Sequence, residues 1–416
     1  MNLTPNSILE RAPNLKVQIL NHGEIIIFMH DRWVKCISHG LAILDAFAQP
    51  IVVSEAVRKL GTRFADPKDR AQAIDLISDL YRAGFLQNES QRNEVRQPLY
   101  PKPTFECFLY ERPPVLLPYS GRSSGPVVDR NAVVINKRIQ IQMVGEPPVG
   151  STDMFPHCAR FLSGYPLLWV QHPGTKVLTP YWLNTTYLEL IQGLIAGEIS
   201  PSELDPAVFS TLIRANVLVP ADYEESQARA WQETFADLFM QLQSQQYAIV
   251  RSIIHPLQIA ALRKYFRTLD HKNFLIADLQ GGSVRYALHN EEVAQFIQHQ
   301  LSELMICVTQ ELVKPSYSFL SLYKSGSFLA KHSDRPQCAW NLSLLIDTDP
   351  ERELSDSWPI SLEVSSRTKE IRLEMGDGLL YRGTEIPHWR EALGNGETTT
   401  LILCHFVPED FEGDLD

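Results

Sequence analysis

Apolar positions in the last third of the chain fall into short runs separated by turn residues. Residues 318–323 and 340–346 are such runs, and residues 371–375 alternate apolar with polar, the period of a half-buried strand. Gly376-Asp377-Gly378 and Asn395-Gly396 supply turns, residues 379–381 resume the apolar pattern, and residues 398–407 make a final strand. Many short strands with turns between them predict a closed or double-sheet β fold.

The front of the chain has a different grammar. Residues 17–20 and 24–29 read as two strands joined by Asn21-His22-Gly23. Residues 40–47 have helical spacing, and Ser54 caps a second helix running to Leu60 with Glu55 in its first turn. A third helix spans residues 71–83, with Ile74, Ile77, Leu80 and Tyr81 on one face and Gly84 as its stop. Residues 164–220 repeat this unit in degraded form: a hairpin of 167–170 with 176–179, a helix from Asn184 to Gly193, and two shorter helices. A separation of roughly 140 residues marks a duplication rather than a solenoid. Between the copies the chain is rich in proline, a linker with one strand at 131–144. Helical residues 225–242 then lead into a strand at 247–250, and His255-Pro256 opens an amphipathic helix at 257–269. The expected organisation is a multidomain α+β chain: a module at 14–90, a linker at 91–160, a second module at 161–222, and a β domain at 225–416.

Composition narrows the classes without choosing among them. With 416 residues, 44% hydrophobic and 21% charged, the chain can build two to three ordinary globular cores. A net charge of −11 argues against a general binder of nucleic acid or of membrane surfaces. Six cysteines without a Cys-x-x-Cys pair read as reduced thiols, no apolar run approaches a membrane span, and the first residues lack a signal-peptide layout. The expected location is the cytoplasm, with self-association left open.

Chemistry concentrates in the β domain. His332-Ser333-Asp334 is followed fifty-six residues later by His388. A His-x-Asp pair with one distant His is the ligand set of the facial triad that holds non-haem Fe(II). On a strand, residues two apart share a face, so His332 and Asp334 can grip one ion while Ser333 looks away. The third ligand must come from a strand that is distant in sequence and adjacent in space. The remaining histidines show no mutual ligand spacing, although His405 on the last strand could stand behind the ligands.

Tyr323, Gly326, His332-x-Asp334 and the stretch Gly376 to Gly383 ahead of His388 resemble the 2-oxoglutarate/Fe(II)-dependent oxygenases of the prolyl-hydroxylase type, over roughly the last 180 residues. The resemblance implies a double-stranded β-helix (a jelly roll), iron held by His332, Asp334 and His388, 2-oxoglutarate as electron donor with O2, and Tyr323 facing the same cavity. It also carries a departure. That family usually places an Arg or Lys about ten residues after the last histidine to pair with the far carboxylate of 2-oxoglutarate, and here the place holds Thr398. Arg390 and Arg382 are the substitutes within reach.

Residues 38–47, 53–60 and 79–86 resemble the winged-helix domain of the pyrroloquinoline-quinone biosynthesis protein D, which binds leader peptides. The resemblance implies two small winged-helix-like modules ahead of the jelly roll and a peptide or protein partner. The expected activity is hydroxylation of a side chain on a recruited peptide. An oxygenase of a free small molecule, with the front modules used for assembly, and a non-catalytic jelly-roll binding protein stay open beside it.

Overall fold

The computed structural model describes residues 4–12, 16–19, 24–29, 32–37, 39–60, 67–88, 105–109, 129–144, 165–271, 275–280 and 283–415. Contacts divide the chain into two units, Met1–Lys102 and Pro103–Asp416.

The first unit builds a small core from Ile43, Phe47, Ala56, Ile77, Leu80 and Phe85, all fully buried. Its helices are His39–Ala46, Val53–Leu60 and Pro67–Arg82, and Gly84 follows the last of them with φ +81, a left-handed stop that glycine adopts without strain. Ser54 lies inside the second helix, which starts at Val53, rather than ahead of it as a cap. Strand Ile8–Arg11 sits between Ile51–Val52 and Leu86–Gln87. Strands Lys16–Ile19 and Glu24–Met29 pair antiparallel as the pattern predicts, and a further strand, Arg32–Ile37, extends that sheet. The turn assigned to Asn21-His22-Gly23 lies outside the described residues.

In the second unit, the hairpin Leu167–Gln171 with Leu178–Trp182 is present. The helix that follows, Thr185–Ala196, is capped by the Asn184 side chain accepting from the Tyr187 N–H at 2.9 Å. It runs through Gly193 and stops instead at Gly197, whose φ of +74 is the left-handed conformation. Gly193 is small for packing: a Cβ there would stand 2.6 Å from the Ile199 side chain. The stretch read as linker contributes two strands, Val133–Ile135 and Ile139–Gln142, which pair with Leu218–Pro220 and Leu167–Gln171. Much of the remaining proline-rich stretch, 89–104, 110–128 and 145–164, lies outside the described residues.

Helix Tyr223–Gln245 leads into a seven-stranded antiparallel sheet. Its order is Tyr247–Val250, Gly378–Tyr381, Trp340–Asp349, Thr398–Pro408, Val313–Lys324, Ser283–His289, Ile276–Gln280. A second sheet has the order Leu329–His332, His388–Arg390, Ile360–Val364, Arg367–Ile371. Residues 372–375, expected as strand, lie beyond the end of Arg367–Ile371. Strand alternation gives the large sheet two chemistries. On Trp340–Asp349, Leu342 and Leu344 join the apolar core while Asn341 and Ser343 line a cavity. On Thr398–Pro408, Ile402, Cys404 and Phe406 are core, and Leu401, Leu403 and His405 line the same cavity. The small sheet supplies the opposite wall through Leu329, His332, Ile360, His388 and Arg390. Among the described residues no helix is long and apolar enough to cross a membrane.

One buried ion network ties helix Pro256–His271 to the strand that carries Asn341. Arg263 Nε donates to Asp347 Oδ1 at 2.6 Å and Arg267 Nε to Asp347 Oδ2 at 2.5 Å, with Arg263 and Asp347 both buried. Removing the carboxylate leaves the Arg263 charge in a low-dielectric site, a loss of about 3–5 kcal/mol when one partner of a buried pair is deleted. Asp347→Ala is therefore expected to lower stability by about 3 kcal/mol in urea denaturation; a loss under about 1 kcal/mol would show that Glu351, 3.5 Å from Arg263 Nη1, carries the charge instead.

Candidate metal centre

His332 ends the strand Leu329–His332, His388 begins the strand His388–Arg390, and the two strands pair antiparallel with these histidines opposite each other. Side chains opposed in this way stand close on one face, and the two imidazole centroids are 4.4 Å apart. Asp334 arrives differently from the expected shared strand. The strand stops at His332, and the chain bends so that the Asp334 N–H donates to Gly383 O at 2.9 Å. Its carboxylate then reaches both rings: Oδ1 is 3.4 Å from His332 Nε2 and Oδ2 is 3.7 Å from His388 Nε2. One ligand atom from each of the three residues lies within 4.8 Å of the others.

The rings are aimed by the backbone. His332 Nδ1 lies 2.8 Å from Ala330 O, and His388 Nδ1 lies 3.0 Å from Ile386 O. A carbonyl only accepts, so each Nδ1 carries a proton and each ring turns its Nε2 toward Asp334, the atom a metal ion would meet. Burial holds His388 below its ordinary pKa, which favours the neutral ligand form. Burial would raise the Asp334 carboxyl, but its hydrogen bond with His332 and the nearby imidazoles outweigh that and keep it below the usual carboxylate range. One carboxylate and two imidazoles, with a cavity of about 400 Å³ beside them, form the donor set of a divalent iron site with open positions. The residues present fit such an ion.

Behind the carboxylate stands Asn341. Its Nδ2 donates to Asp334 Oδ2, and its Oδ1 accepts from His405 Nδ1 at 2.6 Å. His405 is neutral, burial having pulled it down to about 4. Asn341 escaped the sequence reading, yet a signal was there: Asn341 and Ser343 are polar at alternate positions of an otherwise apolar run. Gly383 completes the support. Any Cβ on it would stand 2.6 Å from Asp334 Oδ2 and from Cys338 O, and closer still to the Asn341 amide.

The other residues named from the sequence separate clearly. Arg390 is buried and lines the cavity; its Nη1 donates to Trp358 O at 2.9 Å and its guanidinium lies 4.6 Å over the Trp358 ring. Among the described residues no carboxylate pairs with it, and burial pulls its pKa down to about 10, the direction expected of a cation without a counter-anion. Tyr323 is buried, lines the same cavity and packs on Trp358 at 5.2 Å. Arg382 points to other partners, paired with Glu311 and, at 3.7 Å, with Glu385, and lying 4.2 Å over Trp340; it is not among the cavity-lining residues. Thr398 is opposite Lys324 and Asp349 and shares the strand parity of Ile402 and Cys404, the face away from the cavity.

No protein-family model matches the chain, and no curated protein matches it. Solved structures do. A Pseudomonas putida prolyl-4-hydroxylase is 14% identical over 42% of this chain and 99% of its own, with a TM-score of 0.36. A prolyl hydroxylase from Trichoplax adhaerens, solved with a peptide fragment of the hypoxia inducible factor, is 11% identical over 44% of this chain and 93% of its own, with a TM-score of 0.38. The epimerase SnoN from nogalamycin biosynthesis, solved with Fe3+ and alpha ketoglutarate, is 9% identical over 42% of this chain and 84% of its own, with a TM-score of 0.37.

The contact at Gly383 makes a direct test of the donor set. Gly383→Ala is expected to push the Asn341 amide and the Asp334 carboxylate apart and to weaken Mn(II) or Co(II) binding by about 10–100-fold, the usual cost of losing an outer partner of a ligand. Unchanged affinity by calorimetry would mean that the Asn341 contact does not position Asp334.

Proposed function

We propose that the chain is an Fe(II)- and 2-oxoglutarate-dependent oxygenase of the jelly-roll class, hydroxylating a side chain of a peptide or protein substrate. The observation that carries the reading is one cavity holding both the His332/Asp334/His388 donor set and a buried guanidinium that lacks a carboxylate partner among the described residues. Fe(II) with 2-oxoglutarate supplies the two-electron activation of dioxygen that side-chain hydroxylation requires. The chain's own part is to hold, orient and exclude. His332, Asp334 and His388 hold the metal, each aimed by a backbone or amide partner, so no ligand has to reorganise during turnover. Arg390 meets the far carboxylate of the cosubstrate. A buried charge is costly until paired, and a dicarboxylate removes that cost for both partners. Trp358 fixes the guanidinium by its carbonyl and ring, and Tyr323 packs behind it. Leu329, Ile360, Leu401 and Leu403 make the walls apolar and keep bulk water from the reacting centre.

The front half supplies recruitment in this reading. Residues 14–90 and 161–222 act as winged-helix-like modules, and a strand edge of the sheet holding Lys16–Ile19 and Arg32–Ile37 accepts an extended peptide, a leader sequence above all, as an added strand. The location expected is cytoplasmic.

The deciding experiment is iron content together with conversion of 2-oxoglutarate to succinate. Wild-type protein is expected to retain about one iron per chain and to form succinate, while Asp334→Ala loses both with its fold intact. Full turnover in Asp334→Ala would end the triad assignment. Run with a long precursor, the same assay should slow when residues 1–102 are removed; equal rates would end the recruitment role.

Arg390→Gln is expected to raise the 2-oxoglutarate requirement at least tenfold, about 1.4 kcal/mol, the lower end for a charge-assisted hydrogen bond. Arg382→Ala, removed from the cavity, should leave it unchanged. The opposite outcome would move the cosubstrate to Arg382.

A further inference from the structure

The cavity has a second cationic region that the cosubstrate does not use. Its centre is Tyr317, whose hydroxyl accepts from Arg335 Nε at 3.0 Å and whose ring lies 4.5 Å under the Arg335 guanidinium. His405 packs on the same ring at 4.6 Å, and Phe319 meets it edge-on at 5.6 Å. Arg285 lies 4.3 Å over the Phe319 ring. Arg285, which donates from Nη1 to Ser321 Oγ at 3.3 Å, lines the cavity together with Arg335 and His405. The wall they form and the metal donor set line one cavity.

Charge then decides what the wall can hold. Among the described residues lining the cavity, three are arginines, and the only carboxylate is Asp334, which the ligand set consumes. On the reading above, a divalent cation and a dianionic cosubstrate cancel each other, and Arg390 is used by the far carboxylate. Arg335, stacked on Tyr317, keeps its charge at the mouth of the cavity. Among the described residues no carboxylate pairs with Arg335. A neutral substrate would make no use of that charge, whereas an oxoanion would gain charge-assisted hydrogen bonds from the planar Arg335 guanidinium. Aromatic faces beneath both guanidiniums hold them in place at little cost in side-chain entropy.

We infer that this wall is a substrate subsite for an oxoanion, a carboxylate or a phosphate carried by the group that is hydroxylated or by its neighbour. The inference rests on the oxygenase reading for its role but not for its test. Arg335 is exposed, so Arg335→Gln removes the charge without emptying a core position. Matched probes separate charge from shape: N-acetyl-glutamate amide, its isosteric N-acetyl-glutamine amide, and N-acetyl-phosphoserine amide. They are titrated by ligand-observed NMR into anaerobic protein loaded with Mn(II) and saturating 2-oxoglutarate.

At least one anionic probe is expected to bind tenfold or more tightly than the glutamine probe, to weaken with added salt, and to lose its advantage in Arg335→Gln. The glutamate and phosphoserine arms distinguish a carboxylate from a phosphate. Equal binding of all three probes, or no effect of Arg335→Gln, overturns the inference. The titration is repeated without metal and cosubstrate. Discrimination that survives there and still needs Arg335 upholds the subsite even if no succinate is ever formed. Discrimination abolished by Arg390→Gln and untouched by Arg335→Gln overturns it, because the anion then occupies the cosubstrate end.

Discussion

Everything at the candidate centre depends on one antiparallel pairing, the short ladder that sets His332 opposite His388. Residues fifty-six apart in sequence become neighbours because each lies at the end of its strand and the pairing, irregular between Leu329 and His332, sets them opposite each other. A slip of one residue would turn one imidazole out of the cavity, since alternate residues face opposite sides of a sheet. The pairing is short, so it needs outside support. Leu362 lies opposite His388 on the next strand, and the hairpin Ile360–Val364 with Arg367–Ile371 braces the small sheet from behind.

Asp334 uses a different device. It is fixed not by a ladder but by contacts to one strand of the large sheet and to the turn that follows another: Asn341 holds its carboxylate, and Gly383 accepts from its N–H. The centre therefore spans both sheets, two ligands on the small one and the third anchored to the large one. Their mutual distances report how well the sheets are held together. The apolar alternates of the large sheet, Leu342, Leu344, Ile402 and Phe406, pack with the helices and keep that face rigid, while Asn341, Ser343 and His405 spend the other face on polarity.

Much of this was legible in the chain. Short apolar runs broken by Gly376 and Gly396 anticipated the strands, and the His332-x-Asp334 pair with a distant His388 named three side chains that the fold brings within 4.8 Å, although Asp334 arrives by a bend rather than along a shared strand. The hairpin of 360–371 was not legible: Arg367 to Glu370 are exposed and show no apolar alternation, since an outer strand of a small sheet has no apolar face to advertise. The helix ending at Gly197 rather than Gly193 shows a related limit. Either glycine can stop a helix locally, and the side chain of Ile199, from the next turn of chain, explains why one of them is needed for space instead.

The displaced cation is the feature that local pattern could point to but not place. The last strand holds threonine where a base would be expected, and its parity there faces away from the cavity, so an arginine at position 398 would not reach the metal side at all. Arg390, two residues after His388 on a three-residue strand, shares that ligand's face, and Trp358 receives it with a carbonyl and a ring. The guanidinium is thus delivered by the same strand as the metal ligand. Position of cation and position of metal are coupled through one rigid segment, so a cosubstrate carboxylate and its chelating end would be registered against each other by the backbone between His388 and Arg390. On the proposed reading, that coupling would set the length of dicarboxylate the cavity accepts, because moving either end would mean moving the strand that carries both.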